Sequence, residues 1–299
     1  MNIFNSTVSF KVRFPRRNRA SLFPILALGV MSFPSSIWAQ LTVNLGSAAD
    51  FAILAGSTIT DAGGLSLVNG NVGLYPAAGS GIGLSAGQVL YGSIFKSETS
   101  GPLLNTAQID LTTAYNDAAG RTPTIDYGAV DNPLGGQTLF PGVYRFGHAA
   151  TANLIGTLTL DANGIANPVW IFQATSDFVT AAGAPGSPAS EVALVHGAQA
   201  GSVFWEVGSS ATIGTYSDLA GTIMADQSIT MDTGAQLSGS VLARIAKVSL
   251  DHNIIRNPLA VPEHKSAAAV AGVLLATAFV RRSFLARSAR DTASRASCP

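Results

Sequence analysis

The sequence predicts an all-β protein with one long α-helix, wound as a three-faced parallel β-helix with the helix packed alongside. Three observations carry this expectation. The heptapeptide Leu219-Ala-Gly-Thr-Ile-Met-Ala225 returns eighteen residues later as Leu237-Ser-Gly-Ser-Val-Leu-Ala243. A second series keeps the same phase at intervals of eighteen and nineteen: Ser210-Ala-Thr-Ile213, Ser228-Ile-Thr-Met-Asp232 and Lys247-Val-Ser-Leu-Asp251. Only one stretch of the chain switches to helical spacing. A sandwich joins its strands by hairpins and has no reason to repeat at eighteen.

The elements follow in order. Lys11, Arg13, Arg16, Arg17 and Arg19 precede an apolar run from Leu22 to Phe33 and then Ser35-Ser-Ile-Trp-Ala39. A charged front, a short apolar segment and a small residue at the cut make residues 1–39 a secretory signal, removed after Ala39. The run is shorter than the ~20 residues that span a bilayer. From Leu41 to Val89, alternating runs such as Ser57-Thr-Ile-Thr60 and Leu65-Ser-Leu-Val68 are broken by Gly63-Gly64, Asn69-Gly-Asn71 and Tyr75-Pro76. That is the texture of many short strands. Gly101-Pro102 then opens a helix that stops at Gly120. Leu104, Ala107, Leu111, Ala114, Tyr115 and Ala118 form its apolar stripe, laid against the β body.

Strands resume at Leu139-Phe-Pro-Gly-Val-Tyr144. Val169-Trp-Ile-Phe-Gln173 is echoed by Val203-Phe-Trp-Glu-Val207 thirty-four residues on, the stretch from Ala181 to Pro188 entering as an inserted loop. Each echo precedes a strand of the hydroxyl phase, Asp177-Phe-Val-Thr180 and then Ser210-Ala-Thr-Ile213. The turns are expected to close around Ile213, Ile223, Ile229, Val241, Val248 and Leu250. Strand alternation then turns Ser210, Thr212, Ser228, Thr230, Lys247 and Ser249 outward, in a ladder with rungs ~4.8 Å apart. Thr222 is expected on a different face. A flat, regular, weakly charged ladder suits a partner that is itself regular.

The overall charge of zero hides an uneven distribution. Between Leu41 and Val261, six Lys and Arg face fifteen Asp and Glu, a net of −9. Nucleic acid is excluded as a partner, because phosphate binding needs clustered cations. The only cysteine, Cys298, rules out a disulfide within the chain. His148, His196, His252 and His264 show no ligand spacing, so no metal or cofactor is expected; zinc would need three or four converging ligands. Asp161, Asp177, Asp226, Asp232 and Asp251 recur at turn phases, where a carboxylate caps backbone groups rather than cleaving sugars. Trp170, Phe172, Phe204 and Trp205 alternate along strands, which sends at least half of them inward as core. No Gly-x-Ser-x-Gly elbow is present. No catalytic residue is assigned, and the chain is not expected to be an enzyme.

Residues 40–258 are expected to form the solenoid domain and 259–299 a C-terminal address. Val261-Pro-Glu-His264 precedes an apolar run from Ala267 to Val280, closed by Arg281-Arg282. Motif, apolar run and basic stop resemble the PEP-CTERM sorting tail of some Gram-negative bacteria, with His264 where that motif has proline. A sorting signal or an uncut tether to the membrane or cell envelope would both follow.

Several ordered blocks also resemble the microbial ice-binding-protein-like family. They are Ala114-Tyr-Asn-Asp-Ala-Ala-Gly-Arg-Thr122, Leu134-Gly-Gly-Gln-Thr-Leu-Phe-Pro-Gly-Val-Tyr144, Val169-Trp-Ile-Phe-Gln173, Phe204-Trp-Glu-Val207 and Leu250-Asp-His-Asn253. The resemblance runs from about Asn44 to about Ile255. It implies an irregular right-handed β-helix of triangular section with one long helix along it. It also implies adsorption to an ice crystal surface through a flat face, as a secreted or cell-surface monomer. Ice-binding members often carry Thr-Ala/Gly-x-Thr/Asn on that face, and Gln227-Ser-Ile-Thr230 and Ala246-Lys-Val-Ser249 stand in the matching places. Ser228, Ser249 and Lys247 depart from the motif, which lowers the expected potency. The competing expectation is an adhesion or matrix solenoid of the same fold without ice activity.

Overall fold

The repeat takes physical form as three short strands per turn. Thr222–Ala225, Ile229–Met231 and Gln236–Ser238 make one turn, and Val241–Ala243, Val248–Leu250 and Ile254–Arg256 the next. Successive turns stack in parallel register, with Ile223 beside Val241, Ile229 beside Val248 and Leu237 beside Ile255. The computed structural model describes residues 40–147 and 151–258. The expected signal 1–39, the tail 259–299, His148, His264 and Cys298 lie outside the described residues.

Stacking produces three parallel sheets, of nine, six and eight strands. Each turn visits them in that order. The edge leading from the eight-stranded sheet back to the nine-stranded one is tight. A Cβ on Gly239 would lie 1.9 Å from the Gly221 carbonyl oxygen of the turn below, and Gly221 itself has φ +115°. Only glycine lets the backbones approach this closely.

The order of the turns in space is not their order in sequence. The first turn, Phe51–Ala55, Ile59–Asp61 and Leu67–Asn69, lies on the last, pairing Ile53 with Val241, Ile59 with Val248 and Leu67 with Ile254. Asn71–Leu74 and Ile94–Lys96 extend that end. The chain must then cross to the opposite end, where Ile125–Asp126 pairs with Gly142–Phe146. The helix Ser97–Gly120 makes the crossing. Its 24 residues span about 36 Å at 1.5 Å each. Nine strands separated by ~4.8 Å span about 38 Å, so the helix is as long as the sheet it covers.

That helix starts four residues earlier than its sequence predicts. Ser100 breaks its geometry (φ −132°, ψ 23°), which leaves Pro102 in the first turn of the straight part, where its missing N–H costs nothing. Leu104, Ala107, Leu111, Ala114, Tyr115 and Ala118 are buried as expected. They pack on Phe51, Leu54, Val143, Ile171, Phe204, Met224 and Leu242 of the nine-stranded sheet. Two polar contacts pin it. Asp110 accepts from the Ser47 amide (2.8 Å) and hydroxyl (2.6 Å). Buried Gln173 donates to the Ala118 and Arg121 carbonyls at 2.7 and 2.8 Å, satisfying orphan groups at the helix end.

Inside the coil, Ile213, Ile223, Ile229, Val241, Val248 and Leu250 are at most 2% exposed. The far half is filled by rings: Tyr144 and Phe172 stack at 5.6 Å, Phe172 and Trp205 at 4.2 Å, and Phe178 and Trp205 at 5.0 Å. The interval between the two aromatic strands needs correction. Trp170 pairs with Val203 and Ile171 with Phe204, an offset of thirty-three rather than thirty-four. One residue decides the face. Trp170, Phe172 and Trp205 point into the core, while Phe204 points out beneath the helix.

Candidate functional site

Of the three faces, the nine-stranded one carries the helix. The eight-stranded one presents charged and mixed groups, including Glu191 beside Asp218, and Arg256 beside Ser238 and Asn69. The six-stranded face is different. Its strands are three residues long, and five of the six run buried, half-buried, buried, as in Ile229-Thr-Met231 and Val248-Ser-Leu250, while Ile59-Thr-Asp61 buries only its first residue. The inward pair is held by the core, so the residue between and the residue before must point outward.

Two outward rows result. Along one, Thr60, Ser249, Thr230, Thr212, Val179 and Asn153 are neighbours on successive rungs. Along the other lie Thr58, Lys247, Ser228, Ser210, Asp177 and Thr151. Their adjacency follows from the interstrand bonds Val248 N–H to Thr58 O, Ile229 N–H to Lys247 O, Ala211 N–H to Ser228 O, Phe178 N–H to Ser210 O and Ala152 N–H to Asp177 O, all 2.7–2.9 Å. The structure thus brings together all six expected residues, Ser210, Thr212, Ser228, Thr230, Lys247 and Ser249, on one face. Six rungs extend it to roughly 24 Å, with rows about 6.7 Å apart along each strand.

Three of those twelve residues, Thr60, Thr151 and Lys247, are exposed, and the other nine are half-buried by their neighbours. Among the described residues, no protein group takes the side-chain hydroxyls of Thr60, Thr212, Thr230 or Ser249, which leaves them to solvent. Asp177 is less disruptive than a free carboxylate, because its Oδ1 accepts the Ser210 amide at 3.0 Å. Lys247 has no such restraint and stands between Thr58 and Ser228.

Thr58 and Thr60 were missed as members of the face, and among its six described rungs theirs is the one that carries two threonines. Their strand lies about 190 residues from its neighbour in sequence, so spacing arguments cannot place it. A signal existed nonetheless: Thr58-Ile-Thr60 repeats the hydroxyl–Ile–Thr pattern of Ser228-Ile-Thr230. Thr222 does lie on another face, but it is only 6% exposed, in the nine-stranded sheet. A bulky residue there would test folding. The exposed-face comparison belongs at Gln236, which is half-exposed on the eight-stranded sheet.

The residues considered for chemistry are occupied structurally. Asp161 accepts the Asn163 amide at 2.7 Å and meets His196 at 2.9 Å. Asp226 pairs with Arg244, and Asp251 takes the Thr233 hydroxyl and His252. His196 and His252 are turn residues with φ of 51° and 55°. Among the described residues, no group of three or more His, Cys, Asp or Glu could hold a metal.

Glu206 makes stability depend on pH towards neutrality. Glu206 points out of the nine-stranded sheet beside the helix, 5% exposed. Burial pushes its carboxyl up to about 7, against the hydrogen bond from Tyr115 and the charges of Arg145 and Arg244. A proton therefore favours the folded state, and this contribution is lost as pH rises from about 4.5 through about 7. Asp110, held low by Ser47, acts in a different window, below its ordinary value of 3.8. Glu206→Gln is expected to flatten the fall in melting temperature between pH 5 and pH 8, measured by calorimetry. Parallel curves for parent and variant would contradict this.

The comparisons agree with the fold. The family described as "Ice-binding-like" matches residues 53–256. A protein of Nostoc sp. (strain HG1) named "Ice-binding protein" is 35% identical over 277 residues, covering 89% of this chain and 97% of its own length. A Colwellia protein of the same name is 35% identical over 225 residues, covering 72% of this chain and 84% of its own. The crystal structure of an ice-binding protein from the Antarctic ascomycete Antarctomyces psychrotrophicus superposes with a TM-score of 0.64 at 33% identity, covering 72% of this chain and 98% of that one.

Proposed function

The chain belongs to the ice-binding-like family, and from that premise we propose that it binds ice through its six-stranded face, without catalysis, by adsorption to the growing crystal. The observation that carries the assignment is the double row of small side chains on the sheet that neither the helix nor a charge lattice covers. Thr212, Thr230 and Ser249 each lie between two buried neighbours that fix the backbone carrying them, so little entropy is lost on docking. Weak contacts repeated over six rungs then sum without any reactive residue.

The substitutions within the face set its strength. A threonine methyl fills the space beside its hydroxyl and orders adjacent water, and serine lacks it at Ser210, Ser228 and Ser249. Lys247 adds a strongly hydrated charge to an otherwise level row. Modest activity follows, greater in recrystallisation inhibition than in freezing-point depression. Lys247→Thr is expected to lower the concentration needed to inhibit recrystallisation. If the parent and Lys247→Thr are both inactive in a splat assay, the adhesion or matrix reading replaces this one.

The same reading places the protein outside the cytoplasm as a monomer, exported by residues 1–39 and sorted or held by residues 259–299. Mass spectrometry of protein from the native host tests this. The expected N-terminus is Gln40; a soluble cytoplasmic chain beginning at Met1 would contradict it.

A further inference from the structure

We propose that the C-terminal part of the crossing helix, residues 112–120, is a latch that one proton on Glu206 holds shut. In alkaline solution this part lifts from the nine-stranded sheet and frays, while the rest of the helix stays seated.

The two parts of the helix are held by different means. The N-terminal part sits on apolar groups. Leu104 packs on Phe51 and Leu54 where Gly73 leaves room, since a Cβ there would lie 2.6 Å from Leu104 and 2.7 Å from Phe51. Asp110 fastens this part to Ser47. Beyond Leu111 the buried stripe is reduced to Ala114, Tyr115 and Ala118, and polar side chains take over. Gln173 holds the last turn by its carbonyls. Arg244 lies over the Tyr115 ring, 4.5 Å from its centre, and its Nε donates to the Thr112 hydroxyl at 3.5 Å.

Glu206 lies within this polar patch, and the groups around it are committed to other partners. On one side of it in the sheet is Gln173, whose amide serves the helix end. Arg145, one strand farther on, donates to Gln173 Oε1 at 3.0 Å and stands 3.9 Å from Asp126. On the other side is Met224, which carries no charge. Arg244, at the nearby corner, is paired with Asp226. From the helix, Tyr115 faces the carboxyl.

A neutral carboxyl suits this setting and an ionised one does not. The Tyr115 hydroxyl has one proton to give, and the Val207 carbonyl oxygen lies 3.3 Å from it. A protonated Glu206 brings its own O–H, which can donate to the Tyr115 oxygen and leave the bond to Val207 in place. An ionised Glu206 can only accept. It draws the Tyr115 proton away from Val207 and sets a charge beneath the helix, where desolvation is costly. Lifting residues 112–120 returns that charge to water and gives up the burial of two alanines and one tyrosine. Burial raises the Glu206 carboxyl from 4.5 to about 7, so the proton's contribution is complete below about 4.5 and is lost as pH rises through about 7.

Amide exchange read by mass spectrometry tests the latch, with rates corrected for the base catalysis of exchange itself. Between pH 5 and pH 8 the protection of residues 112–120 is expected to fall at least about tenfold. At pH 8 it should lie below that of residues 104–110 and of the strands beneath, Trp170–Ala174 and Val203–Val207, as a local opening requires. Glu206→Gln keeps the shape and stays neutral, so it should hold its pH 5 protection throughout. Tyr115→Phe removes the donor that favours the charged carboxylate, and should move the fall to higher pH. Protection of 112–120 equal to that of the strands at pH 8, the same fall in Glu206→Gln, or an unmoved midpoint in Tyr115→Phe overturns the proposal.

Discussion

Thr230→Tyr is expected to remove most of the ice activity and leave the fold intact. Thr230 sits inside the six-rung row, between Thr212 and Ser249. A tyrosine ring there would stand well above its neighbours and lift them from a flat crystal surface, so one substitution disables several contacts at once. The concentration needed to inhibit recrystallisation should rise at least about tenfold, the equivalent of roughly 1.4 kcal/mol. Melting temperature should barely move, because the side chain is half-exposed and no protein group depends on its hydroxyl. Gln236→Tyr, on the eight-stranded face, should leave activity unchanged. Equal losses from the two variants would show that the wrong face was chosen.

Ile229→Asp should unfold the domain, whereas Thr230→Asp, one residue on, should not. Ile229 is fully buried and pairs with Ala211 and Val248 in the turns on either side. Losing its burial costs about 1.5–3 kcal/mol, and an unpaired carboxylate in that interior adds several more. The total is comparable with the whole stability of a typical domain, roughly 5–15 kcal/mol. At position 230 the side chain points to solvent, and the face already accepts charge at Asp177 and Lys247. Circular dichroism should show lost β structure for Ile229→Asp alone. Equal stability of the two variants would refute the inward and outward assignment.

The repeats made the central turns legible, because each turn solves the same problem with the same residues. Once Ile213, Ile229 and Val248 were placed inside, strand alternation settled Thr212, Thr230 and Ser249. The helix stripe was legible for a similar reason, since Leu104, Leu111 and Tyr115 recur at helical spacing. The start of the helix was less so, because the break at Ser100 separates a first turn that carries no apolar stripe. The aromatic strands misled by one residue. Trp170-Ile-Phe172 and Val203-Phe-Trp205 are large and apolar on both sides, core on one and helix-covered on the other, so only the polar pair Gln173 and Glu206 marks their register. The largest gap was topological. Closing the first turn onto the last depends on a helix as long as the solenoid, and although Thr58-Ile-Thr60 matches Ser228-Ile-Thr230, that local pattern does not say that it stacks beside Lys247 and Ser249.

The most direct test of the central claim is ice-affinity partition of the unsubstituted chain, with Thr230→Tyr and Gln236→Tyr run beside it. A cold finger is grown slowly into each solution, and protein in the ice is compared with protein left in the liquid. The unsubstituted chain and Gln236→Tyr should be enriched in the ice, with Thr230→Tyr excluded like an inert protein. Exclusion of the unsubstituted chain, or enrichment of all three alike, would contradict the account.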